Sequence, residues 1–184
     1  PYKVYKKDNY LAIIWGVGKA NAASATTYML TKFQDISLVI NPGIVGGHKV
    51  IKFGKYIVEN ALYGDVDVTM FNYAFGQIPG QPEKYQTNLE LKEKLANFNY
   101  ANIYTNDKFS IEIISSNPYL ADMEAAAIYQ VCNNFNLPVV SLKVVSDLIG
   151  DTNQIENYVI EEKTLDLRLK NFINEVLEVL EWKV

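Results

Sequence analysis

Leu137-Pro138-Val139-Val140-Ser141-Leu142-Lys143-Val144-Val145-Ser146-Asp147 is an almost unbroken, β-branched apolar run closed by a polar pair. A strand with one wet face alternates apolar and polar residues, so a continuous run suits a strand covered on both faces, as inside a parallel sheet. The sequence predicts that it ends at Ser146-Asp147. Just upstream, Ala121 to Phe135 is apolar nearly all round, and Ala125, Ala126 and Ala127 are small enough to let a neighbour approach closely, which predicts a buried helix. Downstream, Leu165, Leu167, Leu169, Phe172, Ile173, Val176, Leu177 and Leu180 fall mostly on one stripe of a helix expected over about Thr164 to Trp182.

The same alternation extends toward the N-terminus. Val4-Tyr5 and Tyr10 to Trp15 read as the strands of a hairpin around Lys7-Asp8-Asn9. Gly16-Val17-Gly18-Lys19 breaks the pattern before a helix over Ala20 to Phe33, and Ser37 to Ile40 is a short strand expected to open into a loop at Asn41-Pro42-Gly43. Lys55 to Asn60 reads as a strand, Leu89 to Asn97 as a helix, Ala101 to Thr105 as a strand and Asn117-Pro118 as a turn. Tyr63 to Tyr85, rich in glycine, proline and aromatics, reads as a long ordered excursion. Strands alternating with helices predict one α/β domain around a mixed, mostly parallel sheet.

Composition narrows the function. The chain has 184 residues with 49% hydrophobic and 21% charged, enough for a sizeable core and unlike a disordered or fibrous chain. Lys and Arg total 17 against 21 Asp and Glu, so a phosphate-neutralising basic face, and with it a nucleic-acid partner, is not expected. A lone cysteine, Cys132, and a lone histidine, His48, leave neither a disulfide framework nor a multi-histidine metal site. No apolar run has the length of a membrane span, and no signal-peptide core follows Pro1, so the predicted setting is cytosolic. Arg168 is the only arginine, which matters because arginine is the preferred planar clamp for phosphate.

In sheets of this kind, ligands gather at the carboxyl ends of strands. Asp147 stands at such an end, either as a turn cap or as a functional acid. Asp122-Met123-Glu124 precedes the buried helix, where acids are favoured by the helix dipole even without a further role. Gly16-Val17-Gly18 and Gly43-Ile44-Val45-Gly46-Gly47 expose backbone amides to an anion or a sugar, although neither has a Walker pattern and Asn21 stands where a dinucleotide fingerprint has its third glycine. His48 and Cys132 read as structural.

In order along the chain, Gly16-Val17-Gly18-Lys19-Ala20-Asn21-Ala22-Ala23, Val39-Ile40-Asn41-Pro42-Gly43-Ile44-Val45-Gly46-Gly47, Asp65-Val66-Asp67-Val68-Thr69, Phe75-Gly76-Gln77-Ile78-Pro79-Gly80, Asp122-Met123-Glu124-Ala125-Ala126-Ala127-Ile128 and Val144-Val145-Ser146-Asp147 form a constellation. It resembles the 5'-methylthioadenosine/S-adenosylhomocysteine nucleosidases of the purine nucleoside phosphorylase-like superfamily. The resemblance runs from Val4 through nearly the whole chain.

The resemblance implies a three-layer α/β/α fold, a homodimer, and hydrolysis of the bond between adenine and a 5'-thio-substituted ribose, with no metal or cofactor. Asp147, beside Ser146, would protonate adenine N7. Glu124 would hold the ribose hydroxyls with Met123 under the sugar, Val17 and Phe109 would line the pocket with Phe109 stacked on the purine, and Phe71, Tyr73 and Pro79 would form an apolar wall lent to the partner's alkylthio pocket. Two departures fall on the nucleophile side: the family's first strand with its glutamate-bearing turn has no counterpart from Pro1 onward, which implies an N-terminally incomplete domain, and Ile44 replaces a serine. Rival readings are a phosphorylase, disfavoured because Arg168 is remote from these loops, and a nucleoside-binding protein without turnover.

Overall fold

The computed structural model describes residues 2–181. Strands β1 (Lys3–Lys7) and β2 (Tyr10–Ile14) form the expected antiparallel hairpin as a separate two-stranded sheet. There follow α1 (Lys19–Lys32), β3 (Val39–His48), β4 (Lys55–Tyr63), a 3₁₀ turn at Thr69–Phe71, β5 (Tyr85–Gln86), α2 (Leu89–Lys94), β6 (Tyr100–Thr105), β7 (Leu120–Asp122), α3 (Ala125–Asn134), β8 (Val139–Ile149) and α4 (Gln154–Val179). The main sheet has the order β5-β4-β6-β7-β3-β8, and β8 pairs again with β4, so the sheet curls and closes on itself. It is mixed: β3–β8, β4–β6 and β6–β7 are parallel, and β3–β7, β4–β5 and β4–β8 are antiparallel.

β8 lies between two layers of helices. Val140, Leu142 and Val144 pack with Leu165, Phe172 and Val176 of α4 and with α2, while Val139 and Val145 point the other way into a cluster with Ala22 of α1 and Ala125, Ala126 and Ile128 of α3. Every one of these side chains is buried. That two-sided burial is the reason the run shows no polar alternation.

β4 runs three residues past Asn60 and α2 stops three short of Asn97, and four further boundaries differ in ways that shape the site. The strand starting near Ser37 does not open into a loop at Asn41: β3 continues through Pro42 and both glycines to His48, in parallel register with β8. On its other edge only Gly46 and Gly47 have partners among the described residues, in β7, so the missing N–H of Pro42 interrupts no ladder there. The glycines admit neighbours, since a Cβ on Gly43 would stand 3.0 Å from Lys143 Nζ and one on Gly46 3.2 Å from Asp147 Oδ2. β8 in turn runs past Asp147 to Ile149, with a register shift that sets Gly46 opposite Asp147 and leaves Ser146 as the extra residue.

The buried helix starts at Ala125 and not Ala121, because Leu120 to Asp122 form β7 between β6 and β3. The last helix starts at Gln154, ten residues before Thr164. Its first turns hold Ile155, Val159 and Ile160 exposed at 68%, 50% and 64%, so no core-facing stripe marks them. Leu167, read as part of the stripe, is exposed, and Trp182 lies outside the described residues.

Candidate active site

The later parts of β3 and β8, the end of β7 and the loop after β6 meet around a cleft of about 180 Å³ lined by Val17, Phe109, Met123, Glu124, Ser146 and Asp147, among others. These are six of the nine residues singled out from the sequence. The other three, Phe71, Tyr73 and Pro79, do not line it: they lie in the excursion between β4 and β5, where Phe71 is 64% exposed.

Asp147 is fully buried. Its Oδ1 accepts a hydrogen bond from Ser146 Oγ at 2.6 Å and its Oδ2 accepts one from Gln154 Nε2 at 2.7 Å. The bulge at Ser146 and the bare Gly46 opposite make room for the side chain between the two strands. Both donors are neutral groups, and Asp147 borders the cleft.

Glu124 sits at the turn from β7 into α3, with Oε1 accepting the Gly18 N–H at 2.9 Å and Oε2 accepting the Met123 N–H at 3.3 Å. Gly18 adopts φ 102, a conformation that disfavours a side chain, and this aims its amide across the cleft just before α1. The glycine turn thus does receive an anion, the protein's own carboxylate. The other glycine stretch is strand, and its contribution to the cleft is Ile44, Val45 and Gly46.

Asp122 plays a different part from Glu124. Its carboxylate accepts the Ala125 N–H at 3.0 Å and the Thr105 hydroxyl at 2.7 Å, while Thr105 Oγ1 accepts the Ala126 N–H at 2.9 Å, so the two side chains satisfy the first amides of α3. For Asp122 the helix-end reading holds. Lys143, in the middle of β8, sets its buried ammonium 3.1 Å from Asp122 Oδ2.

The loop that carries Phe109 is pinned by charge. Lys19 Nζ reaches Asp65 Oδ1 at 2.7 Å, Asp65 Oδ2 accepts the Asp107 N–H at 2.8 Å, and Asp107 Oδ1 accepts the Lys19 N–H at 3.0 Å. Under this cluster the Tyr63 hydroxyl is pushed far above its ordinary pKa, chiefly by burial and further by Tyr85, Asp65 and Asp107. Phe109 is 45% exposed at the cleft mouth, its ring edge-to-face with Tyr158 of α4 at 5.8 Å. Arg168 pairs with Glu161 along α4 at 2.7 Å, away from the cleft as expected.

Lys143, Gln154, Ser110 and Tyr158 were not among the residues singled out from the sequence. Lys143 had a signal, a lone charge inside an apolar strand, which demands a buried partner. It also qualifies the argument that Arg168 was the cation to consider. Gln154 had none, lying outside the helix predicted from periodicity. His48 is buried against Tyr119, with ring centroids 5.4 Å apart, and Cys132 is fully buried in α3, both structural as read.

A family model described as the phosphorylase superfamily matches residues 102–181, the half holding β7, α3, β8 and Asp147. A 5'-methylthioadenosine/S-adenosylhomocysteine nucleosidase of Bacillus cytotoxicus is 35% identical over 187 residues, spanning 90% of this chain and 79% of that protein. Among solved structures, a Borrelia burgdorferi protein bound to adenine superimposes with a TM-score of 0.84 at 25% identity, covering 97% of this chain and 85% of that one. The Neisseria meningitidis 5'-methylthioadenosine/S-adenosylhomocysteine nucleosidase in complex with methylthio-immucillin-A does so with a TM-score of 0.79 at 26% identity, covering 96% and 89%. With its closed mixed sheet, its strand-end acids and a relative matched over four fifths of its length, the chain belongs to the 5'-methylthioadenosine/S-adenosylhomocysteine nucleosidase family.

Proposed function

We propose that this chain hydrolyses the N-glycosidic bond of 5'-methylthioadenosine and S-adenosylhomocysteine, releasing adenine and the thioribose. The observation that carries the reading is the placement of two carboxylates, Asp147 from β8 and Glu124 from the β7–α3 turn, on one cleft with Phe109 at its mouth. Adenine leaves poorly as an anion, so Asp147 protonates N7 as the bond breaks, a general-acid contribution of about 10²- to 10⁴-fold. The sugar becomes cationic in the transition state. Glu124, fixed in place by two backbone amides, accepts hydrogen bonds from the ribose hydroxyls and stabilises that charge. Met123 packs under the sugar, Phe109 stacks on the purine, and Val17 and Ser146 complete the wall.

The same reading makes the chain a homodimer in which Phe71, Tyr73 and Pro79 finish the partner's alkylthio pocket. It places the enzyme in the cytosol, recycling purine and methionine sulfur, and no helix among the described residues is long and apolar enough to cross a membrane. Incubating the protein with 5'-methylthioadenosine should release adenine and free 5-methylthioribose at a rate independent of phosphate. A phosphate-dependent rate with a sugar 1-phosphate product would identify a phosphorylase, and nucleoside binding without base release would identify a binding protein.

A further inference from the structure

Gln154 opens α4 and is 4% exposed, and both amide protons and the amide oxygen have partners. One Nε2 proton goes to Asp147 Oδ2 at 2.7 Å and the other to the Ser110 carbonyl at 2.9 Å, while Oε1 accepts the Gly150 N–H at 3.1 Å. The orientation is chemically forced. Turning the amide over would set its oxygen against a carboxylate and a carbonyl, and its NH₂ against an N–H. The three partners belong to β8, to the turn that follows it, and to the loop that carries Phe109.

We propose that Gln154 is a positioning residue for Asp147: it fixes the plane of the acid's carboxyl group and couples the acid to the loop bearing the aromatic lid. The inference rests on the function proposed above. With Ser146 on one oxygen and Gln154 on the other, the carboxyl cannot rotate, and each oxygen keeps one lone pair for the transferable proton. A buried carboxyl free to turn would meet the purine in many orientations, and misplacement of a reacting group by about 1 Å costs on the order of 10²-fold in rate.

Other titratable groups around the cleft are Asp122 at the end of β7, Glu124 on the β7–α3 turn, Lys108 on the Phe109 loop and Tyr158 on α4, with Lys143 of β8 facing Asp122. Substitution of Gln154 leaves each of them in place.

The test compares wild type with Gln154→Leu and Gln154→Glu in adenine release from 5'-methylthioadenosine between pH 5 and 9, and in calorimetric titration with adenine over the same range. Gln154→Leu should lower kcat by roughly 10- to 100-fold with KM within about threefold, because the acid is loosened and the sugar contacts are untouched. Gln154→Glu keeps the length and sets a second carboxyl against Asp147. The pair then shares a proton, and the alkaline limb of the kcat profile should rise by about one pH unit or more. A purely structural glutamine would lower the melting temperature in both variants while leaving the limb where wild type has it.

An active wild type whose Gln154→Leu variant keeps kcat, or whose Gln154→Glu variant keeps the limb, overturns the inference and leaves the function standing. If wild type binds adenine without turnover, the same upward shift in the pH dependence of adenine affinity is expected in Gln154→Glu, and its absence overturns the inference. A wild type that neither releases nor binds adenine overturns both.

Discussion

Glu124 and Asp147 are both acids beside buried backbone, yet Glu124 is held by backbone amides and Asp147 by side-chain donors. Both Glu124 oxygens rest on N–H groups, Gly18 at 2.9 Å and Met123 at 3.3 Å, which hold the carboxylate in one place. Glu124→Gln should therefore weaken binding of 5'-methylthioadenosine by roughly tenfold or more while leaving free adenine within about threefold, since the sugar contact is lost and the purine contacts are not. Titration of both ligands checks this, and equal losses would reduce Glu124 to a helix-end acid. Asp147 is fully buried and borders the cleft from β8, two residues before the strand ends. Asp147→Asn should keep nucleoside affinity within about tenfold and lower adenine release by about 10²-fold or more, because an amide hydrogen-bonds to N7 but has no proton to transfer. An Asn variant with wild-type turnover would remove Asp147 from the mechanism.

At the scale of elements, the start of α3 depends on groups drawn from three strands. Asp122 satisfies an α3 amide, accepts from Thr105 and faces the buried Lys143 ammonium at 3.1 Å. Asp122→Ala leaves that buried ammonium without its carboxylate and removes an acceptor from the helix end. It should cost about 3–5 kcal/mol in urea denaturation. Lys143→Met should cost much less, because Asp122 keeps its hydroxyl and amide donors. α3 also has an alkaline sensitivity. Burial pushes the Cys132 thiol from its ordinary 9.0 up to about 12, and burial likewise raises the Tyr129 hydroxyl from 10.0 to about 12. Above pH 9 the unfolded chain gives up these protons while the folded chain keeps them, so the unfolded state binds fewer protons and stability falls as pH rises toward 12. Thermal melts between pH 8 and 11 should show this decline, with a shallower slope in Cys132→Ala.

At the scale of the molecule, the face outside the cleft remains unusually apolar. Met70 and Phe71 are 81% and 64% exposed, and Ile111 is 58% exposed. Phe75 packs on Tyr104, Tyr104 meets Tyr119 edge-on, and the Tyr119 hydroxyl accepts the Ile114 N–H, so the two segments flank one aromatic row. Large apolar side chains left this exposed on two neighbouring segments are uncommon on a monomer, and a two-fold copy of the chain is the occupant proposed above. Phe71→Asp should sediment as a monomer and lose preference for 5'-methylthioadenosine over adenosine. A variant that stays dimeric with selectivity unchanged would show that this wall is not part of the pocket. The amino-acid sequence by itself determined the α/β alternation, the two-sided burial of Val139 to Val145 and the strand-end acids, because burial leaves a local periodicity and the motif order survives along the chain. Only the tertiary structure decided that the glycine run of β3 is strand, that Gly18 serves Glu124 from 106 residues away, that Lys143 pairs with Asp122, and that Gln154 reaches Asp147. Those facts rest on sheet register and on hydrogen bonds between distant segments, which need partners but impose no period on the residues between them.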